Sequence, residues 1–97
     1  MLNVDYLKKF KKDLDKIIKS NKTKEDERKA EIRHVIECLA GQVKLEPKYK
    51  DHKLKGKKGE YKDRRECHIE PNLLLVYKIE GNRLTLERIG SHAELFR

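Results

Sequence analysis

Apolar residues follow different periods in different parts of this 97-residue chain, and each period predicts an element. Leu2 to Val4 read as a short first strand. Leu7, Phe10, Leu14, Ile17 and Ile18 then recur three or four residues apart, with lysines and aspartates between them. That spacing predicts an amphipathic helix over roughly residues 5–19. Ser20-Asn21 interrupts it. Thr23 and Asp26 have the spacing of a capping box, with Asp in place of the preferred Glu or Gln. A second helix follows, with Ile32, Val35, Ile36 and Leu39 on one face, and Gly41 suits its C-terminal cap. Two helices joined by a short polar link predict an antiparallel hairpin.

After residue 42 the period changes. Pro47, Gly56 and Gly59 mark irregular structure. Tyr61 to Ile69 alternates weakly and reads as a strand, and Glu70-Pro71-Asn72 suits a tight turn. Leu73 to Tyr77 is a continuous apolar run, as expected of a strand buried on both faces. Glu80-Gly81-Asn82 is a hairpin turn. Leu84 and Leu86 alternate with Thr85 and Glu87 in a last strand ending near Gly90. Ser91 to Arg97 reads as a tail carrying Leu95 and Phe96. The expected fold class is α+β. A short N-terminal strand and a two-helix antiparallel hairpin pack on a small, mainly antiparallel sheet, in one domain over residues 1–97.

Composition tests whether such a chain folds. Charged residues are 43% of it, a level that suggests disorder, but Leu, Ile, Val and Phe number 25 of 97. That share exceeds the roughly 20% below which highly charged chains stay unfolded. No apolar run approaches the roughly 18–20 residues of a membrane span. The first basic residues follow the first apolar ones, which is not a signal-peptide layout. The expectation is a soluble, cytoplasmic protein with no membrane partner. Cys38 and Cys67 do not make a disulfide framework.

Charge narrows the choice of partner. Residues 1–41 carry net +3, residues 42–65 net +6 and residues 66–97 net −1, which together give the chain +8. A segment as basic as 42–65 suits phosphate-rich partners, because each neutralised phosphate releases a counterion. A solvated lysine-rich loop has the same composition. Tyr49 and Tyr61 lie among these lysines and could stack on bases or anchor the loop to the core.

Four histidines carry the candidate chemistry. His34 precedes Cys38 by four residues on one helical face, the spacing of a metal pair. Cys67 and His68 are strand neighbours facing opposite sides, so they would not easily complete the site. A half-buried histidine beside a small apolar cysteine is the simpler reading. His52, His68 and His92 lie outside any helical core stripe. Cleavage of RNA by its own 2′-hydroxyl needs a base, an acid and cations around the phosphate. Histidines together with Arg65 and Arg88 would supply all three. Three histidines scattered on a surface would look the same in sequence.

Four strings in order change the weighting. They are Asp51-His52-Lys53-Leu54-Lys55-Gly56, Arg65-Glu66-Cys67-His68-Ile69-Glu70-Pro71, Leu74-Leu75-Val76-Tyr77, and Arg88-Ile89-Gly90-Ser91-His92-Ala93-Glu94-Leu95-Phe96. Together they resemble the YafQ branch of the RelE/ParE toxin superfamily, most strongly over residues 45–96. The resemblance implies a RelE-like curved sheet with two N-terminal helices against it. It implies a toxin of a type II toxin–antitoxin pair that enters the ribosomal A site and cuts mRNA there, with no cofactor and no metal required. Its inhibitory partner would be a cognate antitoxin that wraps the toxin.

Matching residue by residue, the resemblance gives His52, His68, His92 and Phe96 a part in cleavage. Arg88 and Arg65 match basic positions of the same motifs and are expected to hold the scissile phosphate. His92 is the first candidate for proton transfer, with His52 or His68 as its counterpart. Lys50, Lys53, Lys55, Lys57 and Lys58 are expected to add affinity for RNA. One departure stands out. After the Glu-Pro turn this branch usually has Asp, and this chain has Asn72, which hydrogen-bonds but carries no charge. That opens a second reading, a non-catalytic or weakened binder of ribosomal or other RNA. A gyrase-poisoning toxin is a third, although that group generally lacks the three histidines.

Overall fold

The computed structural model describes residues 1–20, 22–54 and 63–96. Five strands form one mixed sheet in the order β1-β5-β4-β3-β2. They are β1 (Asn3–Tyr6), β2 (His52–Lys53), β3 (Arg65–Glu70), β4 (Leu73–Glu80) and β5 (Arg83–Gly90). Only β1 runs parallel to its neighbour β5; the other pairings are antiparallel. Three helices complete the fold: α1 (Lys8–Ser20), α2 (Glu25–Ala40) and the one-turn α3 (His92–Leu95). The expected α+β fold is therefore present.

Both long helices bury most of the stripes the spacing indicated, the exception being Leu7, which is exposed and precedes α1 because β1 extends to Tyr6. Phe10 of α1 and Val35 of α2 are fully enclosed, with Leu14, Ile17 and Ile36 packed beside them. They meet Cys67, Leu75, Tyr77, Leu84 and Leu86 on one face of the sheet. Leu74, Val76 and Leu95 form a second, smaller cluster, flanked by Leu54 and Phe96. Val76 and Leu75 alternate in sequence, so the clusters lie on opposite faces of β4. Leu73 to Tyr77 is accordingly buried on both sides.

The differences from the sequence reading lie at the element ends. Helix α2 starts from a 3-10 turn over Lys22–Lys24, and its N-cap Lys24 makes no side-chain cap, so Thr23 is not the head of a capping box. The capping box is instead at Ser91 and Glu94, which turns the supposed tail into α3. Ser91 Oγ accepts the Glu94 amide at 3.2 Å and Glu94 Oε1 accepts the Ser91 amide at 3.0 Å. At the end of α2, Gly41 keeps a right-handed conformation, and Gln42 takes the positive φ of 57°. β3 runs Arg65–Glu70 and Asp63 before it takes a left-handed φ of 62°, while the Tyr61–Lys62 part of the expected strand lies outside the described residues. The two-residue strand β2 gave no alternation to read.

Two tight connections set the register. Glu80 pairs with Arg83 around a two-residue hairpin turn, in which Gly81 adopts φ +60°. An L side chain there is strained, which explains the glycine. Glu70 pairs with Leu73 around Pro71-Asn72, and the register shifts between His68 and Glu70.

Candidate active site

Strand register decides which candidate residues share a face. Glu66 pairs with Val76 and His68 with Leu74, so both join the face of the smaller cluster, away from α1 and α2. His52 pairs with Glu66 and extends that row onto β2. Leu74 also pairs with Gly90 of β5, which puts Gly90 two strand spacings from His68, about 10 Å away. From Gly90 the chain turns into α3 and presents His92 and Phe96. A side chain at Gly90 would meet Glu94 Oε1 and Leu95 Cδ2 at 3.3 Å, so glycine lets α3 sit close to the sheet.

Glu66 is the centre of the row. It is 6% exposed, the one buried charged residue among the described residues. Its Oε1 lies 3.1 Å from His68 Nε2 and 4.0 Å from His52 Nε2. The two imidazoles have their centroids 6.2 Å apart. His52 Nδ1 lies 2.6 Å from the Lys50 carbonyl oxygen. Lys50 itself is in the left-handed region, with φ 47° and ψ 44°. On α3 the His92 and Phe96 rings are 5.0 Å apart. The His92 amide donates to Asn72 Oδ1 at 3.3 Å, tying the β3–β4 turn to the start of α3. His52, His68, His92, Phe96 and Asn72 are thus gathered at one end of the sheet.

Arg88 stands differently. Its Nε and Nη2 donate to the Asp13 carboxylate of α1 at 2.7 and 3.1 Å, and the Ile89 amide donates to the same group at 3.2 Å. Asp13 thereby covers β5 beyond the end of β1. The Arg88–Asp13 pair borders an open cleft of about 460 Å³, shared with Lys16, Ala93 and Glu94. Lys16 and Glu94 form an ion pair at 3.4 Å there.

Arg65 and Lys53 pair with each other in register and belong to the row opposite the histidines. Arg65 Nε lies 3.4 Å from Asp51 Oδ1 and 3.3 Å from the Tyr77 hydroxyl oxygen, on the helix-covered side. The Tyr77 hydroxyl donates to Asp51. Burial raises the hydroxyl's pKa well above the usual tyrosine range, and the Asp51 carboxylate adds to the shift. Arg65 therefore anchors the β2–β3 end of the sheet and does not join the histidines. Lys50 is exposed at the end of the 3-10 turn over Pro47–Tyr49. Lys55, Lys57, Lys58 and Tyr61 lie outside the described residues. Tyr49 is 2% exposed and donates its hydroxyl to Glu31 of α2, so it anchors the segment rather than offering a stacking face.

Four residues with such contacts were not singled out in the sequence. Glu66 had a legible signal, since it alternates with His68 by two residues on a strand. Asp13 had none, being 75 residues from Arg88. The Arg64–Glu87 pair, at 2.6 Å, likewise reaches across β4. His34 Nε2 is 3.8 Å from Cys38 Sγ. Burial, chiefly, pushes the Cys67 thiol up beyond the range in which a thiolate forms.

With this geometry in place, known proteins can be compared. The model of the family described as "Bacterial toxin of type II toxin-antitoxin system, YafQ" matches residues 2–97. The chain belongs to the YafQ toxin family. Among its relatives, the mRNA interferase toxin YafQ of Escherichia coli is 30% identical over 95 residues, covering 97% of this chain and 95% of that protein. The YafQ chain of an E. coli DinJ–YafQ complex superposes with a TM-score of 0.82 at 30% identity, covering both chains completely. A metal-bound toxin from Helicobacter pylori superposes with a TM-score of 0.82 at 46% identity, over 99% of this chain and 100% of its own. These neighbours share the RelE-like α+β fold described above. Among the described residues of this YafQ-family chain, no group of three or more His, Cys, Asp or Glu side chains has the arrangement to hold a metal ion.

Proposed function

We propose that this chain is a ribosome-dependent mRNA endoribonuclease, the toxin half of a type II toxin–antitoxin pair. One observation carries the reading: His52, Glu66 and His68 meet on the sheet face to whose end α3 brings His92. In the reaction the RNA 2′-hydroxyl loses its proton to a histidine and its oxygen attacks the adjacent phosphorus. The bond to the 5′-oxygen breaks, and that oxygen takes a proton from a second histidine. The products are a 2′,3′-cyclic phosphate and a 5′-hydroxyl end. His92 is one partner in this exchange, and His52 or His68 is the other. Phe96, whose ring is 5.0 Å from that of His92 by centroids, stacks in this reading on a base beside the scissile bond. Arg88 is the nearby cation, and it reaches phosphate only by exchanging its Asp13 partner. Lys50 and the basic segment that follows supply affinity for the RNA-rich ribosome.

The inhibitory partner is a cognate antitoxin. The likeness to the YafQ chain of a DinJ–YafQ complex supports that assignment. The weakened-binder reading rested on Asn72. Its Oδ1 accepts the His92 amide, a task either oxygen of an aspartate would perform equally. The link between the turn and α3 is therefore kept, and what the substitution removes is charge. Expression followed by primer extension on translated messages tests the proposal. Cuts inside codons are expected, and His92→Ala should abolish them while the protein stays folded. Persistence of the cuts at full rate in that variant would remove His92 from the mechanism. Tight, salt-sensitive ribosome binding without any cuts would establish the binder reading instead.

A further inference from the structure

The polar contacts around His52 and His68 determine more than their position. A carbonyl or carboxylate oxygen can only accept, so a ring nitrogen bonded to one must carry a hydrogen. His52 Nδ1 is 2.6 Å from the Lys50 carbonyl, which makes it the protonated nitrogen of the neutral ring. His68 Nε2 stands 3.1 Å from Glu66 Oε1, and the negative charge so close to it favours a hydrogen on that nitrogen, the opposite one of the ring. The two neighbouring imidazoles are therefore held in opposite tautomers by two acceptors: a backbone carbonyl aimed by the left-handed Lys50, and a buried carboxylate.

We infer that Glu66 is a positioning residue of the cleavage site, and that it and the Lys50 carbonyl leave Nε2 of His52 and Nδ1 of His68 as the two nitrogens open to exchange protons. Glu66 acts on both rings through one oxygen. It stands 3.1 Å from His68 Nε2 as a charged neighbour. It also stands 4.0 Å from His52 Nε2, too far to bond the neutral ring, yet close enough to meet that nitrogen once it has gained a proton. Nothing in the packing demands a carboxylate here. Glu66 is paired in register with Val76 and lies beside the cluster of Leu74, Val76 and Leu95, where an apolar side chain would be the cheaper choice. A charge kept buried against that preference is what a device for orienting histidines requires.

The inference rests on the ribonuclease reading only for its rate measurements. Long-range proton–nitrogen NMR spectra of the full ¹⁵N-labelled chain, at a pH where the imidazoles are neutral, read each tautomer directly. His52 is expected as the Nδ1–H form and His68 as the Nε2–H form. A His52 ring in the Nε2–H form overturns the assignment, whether or not the protein cleaves RNA. Glu66→Leu removes the acceptor but suits the apolar surroundings, so its backbone spectrum should remain that of a folded chain. In that variant the His68 ring should leave its single tautomer for a mixture. The saturated rate of message cleavage should fall about ten- to a hundredfold, the range of one close charge-assisted contact, with ribosome affinity unchanged. Glu66→Gln keeps an accepting oxygen and should retain the His68 tautomer and a larger share of the rate. A Leu variant with wild-type ring signals or wild-type rate, or a Gln variant as impaired as the Leu one, refutes the role. If wild type makes no cuts while the tautomers are as described, the ribonuclease reading fails and the tautomer assignment stands.

Discussion

Asp13→Ala probes the contact that joins the helical layer to the functional end of β5. The carboxylate accepts two guanidinium bonds from Arg88, at 2.7 and 3.1 Å, and the Ile89 amide at 3.2 Å. The side chains of Arg88 and Asp13 are 25% and 19% exposed. The pair thus falls between an exposed ion pair, which contributes about 0–1 kcal/mol, and a buried one, whose disruption costs about 3–5 kcal/mol. A loss of about 2 kcal/mol is expected. For a domain of this size that is a fifth to two-fifths of a total of roughly 5–10 kcal/mol. It corresponds to a drop in Tm of about 8–16 °C. Asp13→Asn keeps one oxygen acceptor and loses the charge, so it should cost about half as much. Urea unfolding followed by circular dichroism measures both. The m-value should stay unchanged, since the folded core is untouched. A loss below about 0.5 kcal/mol for the alanine variant, the range of ordinary surface changes, would refute the reasoning. Equal losses for Ala and Asn would show that charge alone matters and the amide bond nothing.

Three further outcomes are expected. Asn72→Asp should keep the link to the His92 amide and the wild-type stability. A gain in cleavage rate would mark the missing charge as the limit on activity, and no gain would show that the carboxylate is dispensable in this chain. Asn72→Ala removes the acceptor and should lower cleavage through a displaced α3, seen as shifted amide signals for residues 91–96. The third outcome concerns pH. Arg28 donates two bonds to Glu70, at 2.7 and 2.9 Å, and holds that carboxyl below the usual carboxylate range. A carboxyl depressed by folding adds stability that is present above its unfolded value and is lost as pH falls through its folded value. Glu70 is more than a third exposed, so the contribution is under about 1 kcal/mol after screening. Urea midpoints of wild type and Arg28→Gln should therefore differ at pH 7 and converge as the pH falls below the usual carboxylate range. A difference that persists at low pH would place the effect elsewhere.

What the sequence determined by itself was whatever rests on local periodicity and local strings. The stripe of Phe10, Leu14 and Ile17 and the stripe of Ile32, Val35 and Leu39 specified two helices with one buried face each. The unbroken run Leu73 to Tyr77 specified a central strand, and Gly81 specified its hairpin. The strings around His52, His68 and His92 identified the family. Element ends were less legible, because several residues compete for each cap. Ser91 with Glu94 forms the capping box that Thr23 with Asp26 does not. Besides Gly81, left-handed positions fell on Gln42, Lys50 and Asp63, none of them a glycine. Only the tertiary structure decided which candidates share a face. A period-two strand separates neighbours by side, so Arg65 departs to Tyr77 and Asp51 while Glu66 joins the histidines. It also decided that Arg88 is held by Asp13, since contacts across 75 residues leave no trace in local pattern. Sequence could name three histidines; strand pairing and one buried carboxylate turned them into an arrangement.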